Sequence, residues 1–96
     1  MINHTDIPNP IVPGVYITRE GKVVLIGWRG RFYGETGPLS EAKWPFTGDN
    51  GTWYDLFGRE WPDSETDTDL VGLVERHPNP DARLSEVERL FHGGAN

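Results

Sequence analysis

The strongest constraint on the fold lies in residues 14–28, where 14-GVYIT-18 and 22-KVVLIGW-28 flank the short connection Arg19-Glu20-Gly21. Two runs rich in β-branched and aromatic residues around a three-residue link that ends in glycine form the pattern of an antiparallel hairpin with a bulged turn. Gly21 is the residue expected at positive φ, where the absence of a Cβ removes the steric penalty. The second run is apolar on both faces, with Val23 and Leu25 on one and Val24, Ile26 and Trp28 on the other. A strand with that pattern needs cover on both sides, so it belongs in the middle of a small sheet or barrel.

Length limits what can surround such a strand. The chain has 96 residues, and a chain of that size buries only about 60 to 65% of the surface its unfolded form exposes, enough for one modest core. It holds no cysteine, so neither disulfides nor thiolate metal sites are available to reinforce that core, and a reducing, intracellular setting is expected. Residues 1–13 show no basic region followed by an apolar run. The longest apolar stretch, residues 23–26, falls far short of the ~20 residues a bilayer requires. The expectation is a soluble cytoplasmic protein with no membrane contact.

The remaining elements follow from local signals. Residues 1–11, with Pro8 and Pro10 and no periodicity, read as an extended arm. A short third strand is expected at 31-RFYG-34, followed by a loop through residues 35–43. Residues 44–46 and 52–57 form a further hairpin around Asp49-Asn50-Gly51, whose residues tolerate positive φ. The last strand is 70-LVGLVE-75. In the tail, Asn79-Pro80 is a good N-cap and first-turn pair, and Leu84, Val87, Leu90 and Phe91 recur at helical spacing until Gly93-Gly94. These signals predict a mainly β fold: a small antiparallel sheet or partly closed barrel of SH3-like size over residues 12–75. It is followed in residues 76–96 by a linker and an amphipathic helix of about three turns, residues 80–92. The apolar stripe of that helix would dock on the β domain or on another chain.

The formal charge of −6 is confined to one segment. Residues 1–54 carry five acids and five bases, residues 76–96 three of each, and residues 55–75 seven acids against Arg59 alone. A field of that sign repels nucleic acid and favours basic partners. Within the segment, Asp63, Glu65, Asp67 and Asp69 occupy every second position. If extended, they would line one side at intervals of roughly 6.5 to 7 Å, a row able to imitate a phosphate strand. The plainer reading is a solvated loop, and in either case neutralising all four should cost little stability. An EF-hand is out of register: the frame from Ser64 puts Asp69 where glycine must turn the loop, and the frame from Asp63 puts Val74 at the bidentate position. An Asp67-x-Asp69 cation site is the remaining metal reading, and no metal or cofactor is expected.

Eleven aromatic residues, four of them tryptophan, are generous for this length. Tyr16, Trp28 and Trp53 are expected to complete a core short of aliphatics. Trp44 and Trp61 each precede a proline, and Trp61 borders the acidic run. Core packing is the plainer reading for both, and an interface anchor the functional one. The candidate partner-binding set is therefore Trp44, Trp61, Asp63, Glu65, Asp67 and Asp69. Catalysis finds no support: His4, His77 and His92 stand apart from any serine or second ligand, and no serine has a glycine-flanked elbow. Asp55, between Tyr54 and Leu56, is the one acid with apolar neighbours, and it has no partner for acid–base work. No enzymatic activity is expected.

The order Tyr16, Thr18-Arg19-Glu20-Gly21-Lys22-Val23, Trp44, Thr47, Asn50-Gly51 and Asp69-Leu70-Val71 resembles a class of short phage and prophage proteins. In these a TRDGRKV hairpin precedes a W…G element and a terminal DLV strand. The resemblance covers residues 14–75. Trp28, Trp53, Trp61 and the acidic insertion depart from the pattern of that class. The resemblance implies a phage or prophage origin and a small β fold, and it carries over no catalytic residue. The resulting expectation is an accessory protein that binds a host or phage protein without catalysis. The alternative is a small structural or assembly component of the virion, contacting its neighbours through the tail helix.

Overall fold

A computed structural model describes residues 3–29 and 43–91. The strand expected at 31–34, most of the loop after it, and the helix end at residue 92 lie outside the described residues. Among the described residues five strands, β1 (Gly14–Thr18), β2 (Val23–Trp28), β3 (Phe46–Gly48), β4 (Trp53–Tyr54) and β5 (Leu70–Arg76), precede one helix, α1 (Leu84–Phe91). They form an antiparallel sheet in the order β4-β3-β2-β1-β5.

β2 is the central strand, as its two apolar faces require. In the β1–β2 hairpin Val15 stands opposite Leu25 and Tyr16 opposite Val24, and Gly21 takes φ 90° in the turn. On one face Tyr16, Val24, Ile26, Phe46, Tyr54, Leu70 and Leu73 form the main core, joined by Ile11 and flanked by Ile7 and Trp28. On the other, Val15 and Leu25 meet Ala82 and Val87, with Val74, Leu84 and Phe91 packed around them. Two register shifts in the β1–β5 pairing leave Val71 and Val74 without a partner position. These bulges let Leu70 and Leu73 enter the same core despite their odd separation.

Among the described residues the sheet is not closed, so of the two expected architectures it is the open one that they form. β4 and β5 lie at opposite edges, yet Tyr54 and Leu70 belong to one core, so the sheet must curl strongly. The gap is bridged by a side chain rather than a strand ladder: the Tyr54 hydroxyl donates to the Thr68 carbonyl at 2.7 Å and accepts from Asn50 Nδ2 at 3.1 Å. The N-terminal arm is more than an extended lead-in. Thr5 exchanges two backbone hydrogen bonds with Leu73, at 2.9 and 2.8 Å, covering part of an edge strand that would otherwise be open to pairing.

The helix starts at Leu84, four residues later than Asn79-Pro80 suggests, and spans eight described residues. Asn79 instead closes a turn, its Oδ1 accepting the Asp81 N–H at 3.0 Å and its carbonyl the Ala82 N–H at 3.1 Å. The carbonyls of Pro80 and Ala82 accept the indole and backbone N–H of Trp28, at 3.0 and 3.1 Å. Those carbonyls are directed to β2 and do not begin a helix. The first helical turn is capped by Glu86, whose carboxylate accepts the Arg83 N–H at 3.3 Å, half of a capping box. α1 docks on β2 through Val87, Leu84 and Phe91, while Leu90 remains 51% exposed. Docking on the chain's own sheet, the first of the two expectations for the stripe, is what the structure shows. None of the described helices is long and apolar enough to cross a membrane.

Candidate functional site

The acidic segment leaves β4 at Tyr54 and folds as a series of turns. Asp55 organises the first: its Oδ1 accepts the N–H groups of Phe57 and Arg59 at 2.8 and 3.0 Å, and its backbone pairs with Gly58 and Arg59. Asp55 is buried, and its Oδ1 serves as an acceptor for the backbone of its own turn. Next, Ser64 N–H closes onto the Trp61 carbonyl, and Asp69 N–H onto the Thr66 carbonyl. The segment 63–69 is therefore not extended, and the evenly spaced row of four carboxylates does not form. Turn residues and hydroxyl side chains give it local hydrogen bonds that a charged strand would lack.

Asp69 is the clearest correction. It is 1% exposed, whereas Asp63, Glu65 and Asp67 face solvent. Its Oδ1 accepts the Glu60 N–H at 3.1 Å and the Thr66 hydroxyl at 2.9 Å, and its Oδ2 accepts the Thr66 N–H at 3.1 Å. Arg19 Nη2 and Arg59 Nε stand 3.6 and 3.9 Å from Oδ2. A buried carboxylate with this many donors cannot be neutralised at little cost, so the expectation of tolerance does not extend to Asp69. Arg19, from the β1–β2 turn, also reaches Glu65 at 3.6 Å and the Thr66 carbonyl at 3.2 Å, fastening the acidic turns to the first hairpin.

Asp69 positions Glu60, and Glu60 in turn positions an indole. The Glu60 carbonyl accepts the Trp44 Nε1–H at 2.6 Å, and its carboxylate accepts the Thr68 hydroxyl at 3.0 Å. Trp44, partly buried, meets Trp61 edge to face with ring centroids 5.6 Å apart. Trp61 is 51% exposed. The structure thus brings two of the sequence-derived candidates, Trp44 and Trp61, into contact.

Trp53 is the residue that sequence reasoning placed wrongly. β4 alternates, and Tyr54 takes the inward position with no exposed surface, so Trp53 points out and stays 53% exposed. The β3–β4 turn fixes this register: Gly51 takes φ 85°, and Asn50 Oδ1 accepts the Thr52 N–H at 3.1 Å. Trp53 joins Trp44 and Trp61 around a cleft of about 310 Å³, completed by Gly51, Thr52 and Glu60. The chain's own cations already lie on two of these rings. The Arg29 guanidinium stands 4.0 Å from the Trp53 centroid, and Lys43 Nζ 5.2 Å from that of Trp44. The signal that could have found Trp53 was its neighbour, since a two-residue edge strand buries only one of two adjacent aromatics.

Among the described residues no three His, Cys, Asp or Glu side chains converge as a metal site requires. Among the described residues the groups with a resolved shift are two structural tyrosines. Burial raises Tyr54, and it pushes Tyr16 up from 10.0 to about 12, with the hydrogen bond to Val12 opposing the shift. No protein-family model matches the chain, and comparisons with characterised proteins and with solved structures give no match.

Proposed function

We propose that the protein is a phage or prophage accessory protein that binds a basic surface of a host or phage protein without catalysis, in the bacterial cytoplasm. The observation that carries this reading is the placement of an open three-tryptophan cleft beside the turns that hold six of the fifteen acids against Arg59 alone. Half-exposed tryptophans are the residues that most often anchor protein interfaces, and surface carboxylates speed encounter with a basic partner. Binding rather than acid–base chemistry is supported by the engagement of Asp55 and Asp69, the buried carboxylates among the described residues, with backbone amides. The same field disfavours direct contact with nucleic acid. A virion-assembly role would draw on the tail helix, whose stripe is largely engaged with the chain's own sheet.

Tagged protein captured from host lysate at low and high salt identifies candidates, and each purified candidate is then measured kinetically. Replacing Asp63→Asn, Glu65→Gln and Asp67→Asn together should change stability by no more than about 0.5 kcal/mol. Association with the partner should slow several-fold and lose most of its salt dependence, because steering acts on the on-rate and is screened by ions. Unchanged association, or capture of nucleic acid in place of protein, overturns the reading.

A further inference from the structure

The outer edge of β5 carries a cover that is joined to it at a single residue. We infer that residues 3–6 of the arm act as an autoinhibitory strap in the place of an added strand, and that their release lets an extended segment of a partner pair with β5. This surface includes no residue of the cleft or of the acidic turns. Thr5 and Leu73 exchange backbone hydrogen bonds at 2.9 and 2.8 Å, and the Thr5 hydroxyl donates to the Leu73 carbonyl at 3.4 Å. These are the hydrogen bonds that residues 3–6 make among the described residues, and all four residues are exposed. The chain is anchored just beyond them: Ile7 packs against the main core, and the Ile11 N–H donates to the Leu56 carbonyl at 2.9 Å.

One side-chain seat sets the register of the strap. The His4 imidazole lies over Gly72, where a Cβ would stand 2.7 Å from its Cε1 and nearer still to its Cγ and Nδ1. A glycine within a strand often marks such a close approach. A larger residue would evict the ring, which ends a flexible side chain and yields without moving the sheet. Of the seven residues of β5 the arm pairs with one, so a partner strand can use more of the edge than the strap does. Main-chain hydrogen bonds supply affinity in strand addition, and pockets for alternate side chains supply specificity. The pocket here is the space over Gly72, beside the exposed Val71. The arm itself shows the pattern that fits: a ring followed by a β-branched residue, antiparallel to β5.

Two backbone hydrogen bonds hold the strap closed by a factor of about thirty, so the edge is open in roughly 3% of molecules and a partner strand is weakened about thirtyfold. The test uses the full chain, its Thr5→Pro variant and a capped peptide of the arm sequence 3-NHTDI-7, followed by amide exchange and backbone N–H signals. Proline removes the N–H that the Leu73 carbonyl accepts and leaves the sheet untouched. The Leu73 amide should exchange about thirtyfold faster in the variant, while the amides of β2 stay protected. At millimolar concentration the peptide should shift the Val71 and Leu73 signals of Thr5→Pro, and it should bind the native chain about thirtyfold more weakly. Gly72→Ala opens the strap by a second route: it should speed Leu73 exchange in the same way, and His4→Gly added to it should restore protection. Gly72→Ala should also refuse the histidine peptide and accept one with glycine in place of histidine.

Equal affinity of the native chain and Thr5→Pro for the peptide, or no shift in Thr5→Pro at millimolar peptide, overturns the proposal. Loss of near-ultraviolet circular dichroism in both Thr5→Pro and Gly72→Ala does so too, since the arm would then be an integral strand of the fold. A concentration-dependent dimer of Thr5→Pro that the peptide dissolves also overturns it, because a second copy would then be the occupant.

Discussion

The carboxylate of Asp69 accepts the backbone N–H of Glu60 at 3.1 Å, and through that contact a buried charge near one edge strand sets the position of an indole beside the other. The relay Asp69–Glu60–Trp44 spans the gap that the open sheet leaves between β4 and β5. Asp69→Asn should therefore destabilise the fold. An amide in this place keeps one acceptor and turns an NH2 towards an N–H of Thr66 or Glu60, and it removes the charge facing Arg19 and Arg59. Loss on the order of 2 kcal/mol is expected, lowering the melting temperature by roughly 10 °C in a domain of this size. Asp67→Asn, at an exposed neighbouring position, serves as the control and should change stability by no more than about 0.5 kcal/mol, or roughly 2 to 3 °C. Near-ultraviolet circular dichroism should change in the first variant and not in the second.

Two apolar residues of α1 have opposite fates. Val87 is fully buried against Val15 and Leu25, and Leu90 is 51% exposed. Val87→Ala should cost about 2 kcal/mol through lost burial and the cavity left behind, and Leu90→Ala less than about 0.5 kcal/mol. Denaturant unfolding of both variants checks this. Equal costs would mean that Leu90 is covered in solution by another surface.

The close approach of α1 to β2 depends on Gly27. A Cβ there would lie 2.6 Å from the Arg83 carbonyl carbon and the Leu84 Cα. Both obstacles are backbone, so nothing flexible can yield. Gly27→Ala should cost about 2 to 3 kcal/mol by forcing the helix off the sheet. The loss should be accompanied by exposure of Trp28, visible as a red shift in its emission, because its N–H groups bond the Pro80 and Ala82 carbonyls of the same linker.

Alkaline stability should fall through a defined window. The Tyr16 hydroxyl is buried, donates to the Val12 carbonyl at 2.5 Å and accepts the Val12 N–H at 3.0 Å. Its pKa is pushed up from 10.0 to about 12 by that burial. A group whose folded value is raised binds its proton more tightly when native. Its contribution is thus complete below the unfolded value near 10 and is lost as pH rises towards 12. A difference on the order of 2 to 3 kcal/mol is expected over this interval, with Tyr54 shifting in the same direction. Denaturant midpoints across the range, compared with those of Tyr16→Phe, should show a shallower slope in the variant.

Several elements are legible in the sequence because their causes are local. The β1–β2 hairpin follows from two β-branched runs and a glycine at positive φ, and β2 is central because both its faces are apolar. The β3–β4 turn follows from Asp49-Asn50-Gly51, and the docked helix from the spacing of Leu84, Val87 and Phe91. These signals act within a turn or a strand, where side-chain periodicity and backbone sterics are enough. Only the tertiary structure decided whether the sheet closed, because strand order and edge partners depend on segments far apart in the chain. It also separated Asp69 from Asp63, Glu65 and Asp67, which sequence pattern treats alike: burial comes from the arrival of the Glu60 amide and the Arg19 side chain. Trp53 and Tyr54 are adjacent aromatics, and which of them enters the core is set by pairing with β3 rather than by composition. The three-indole cleft joins residues 44, 53 and 61 from a strand edge, a hairpin and a turn, and no periodicity within one element brings such residues together.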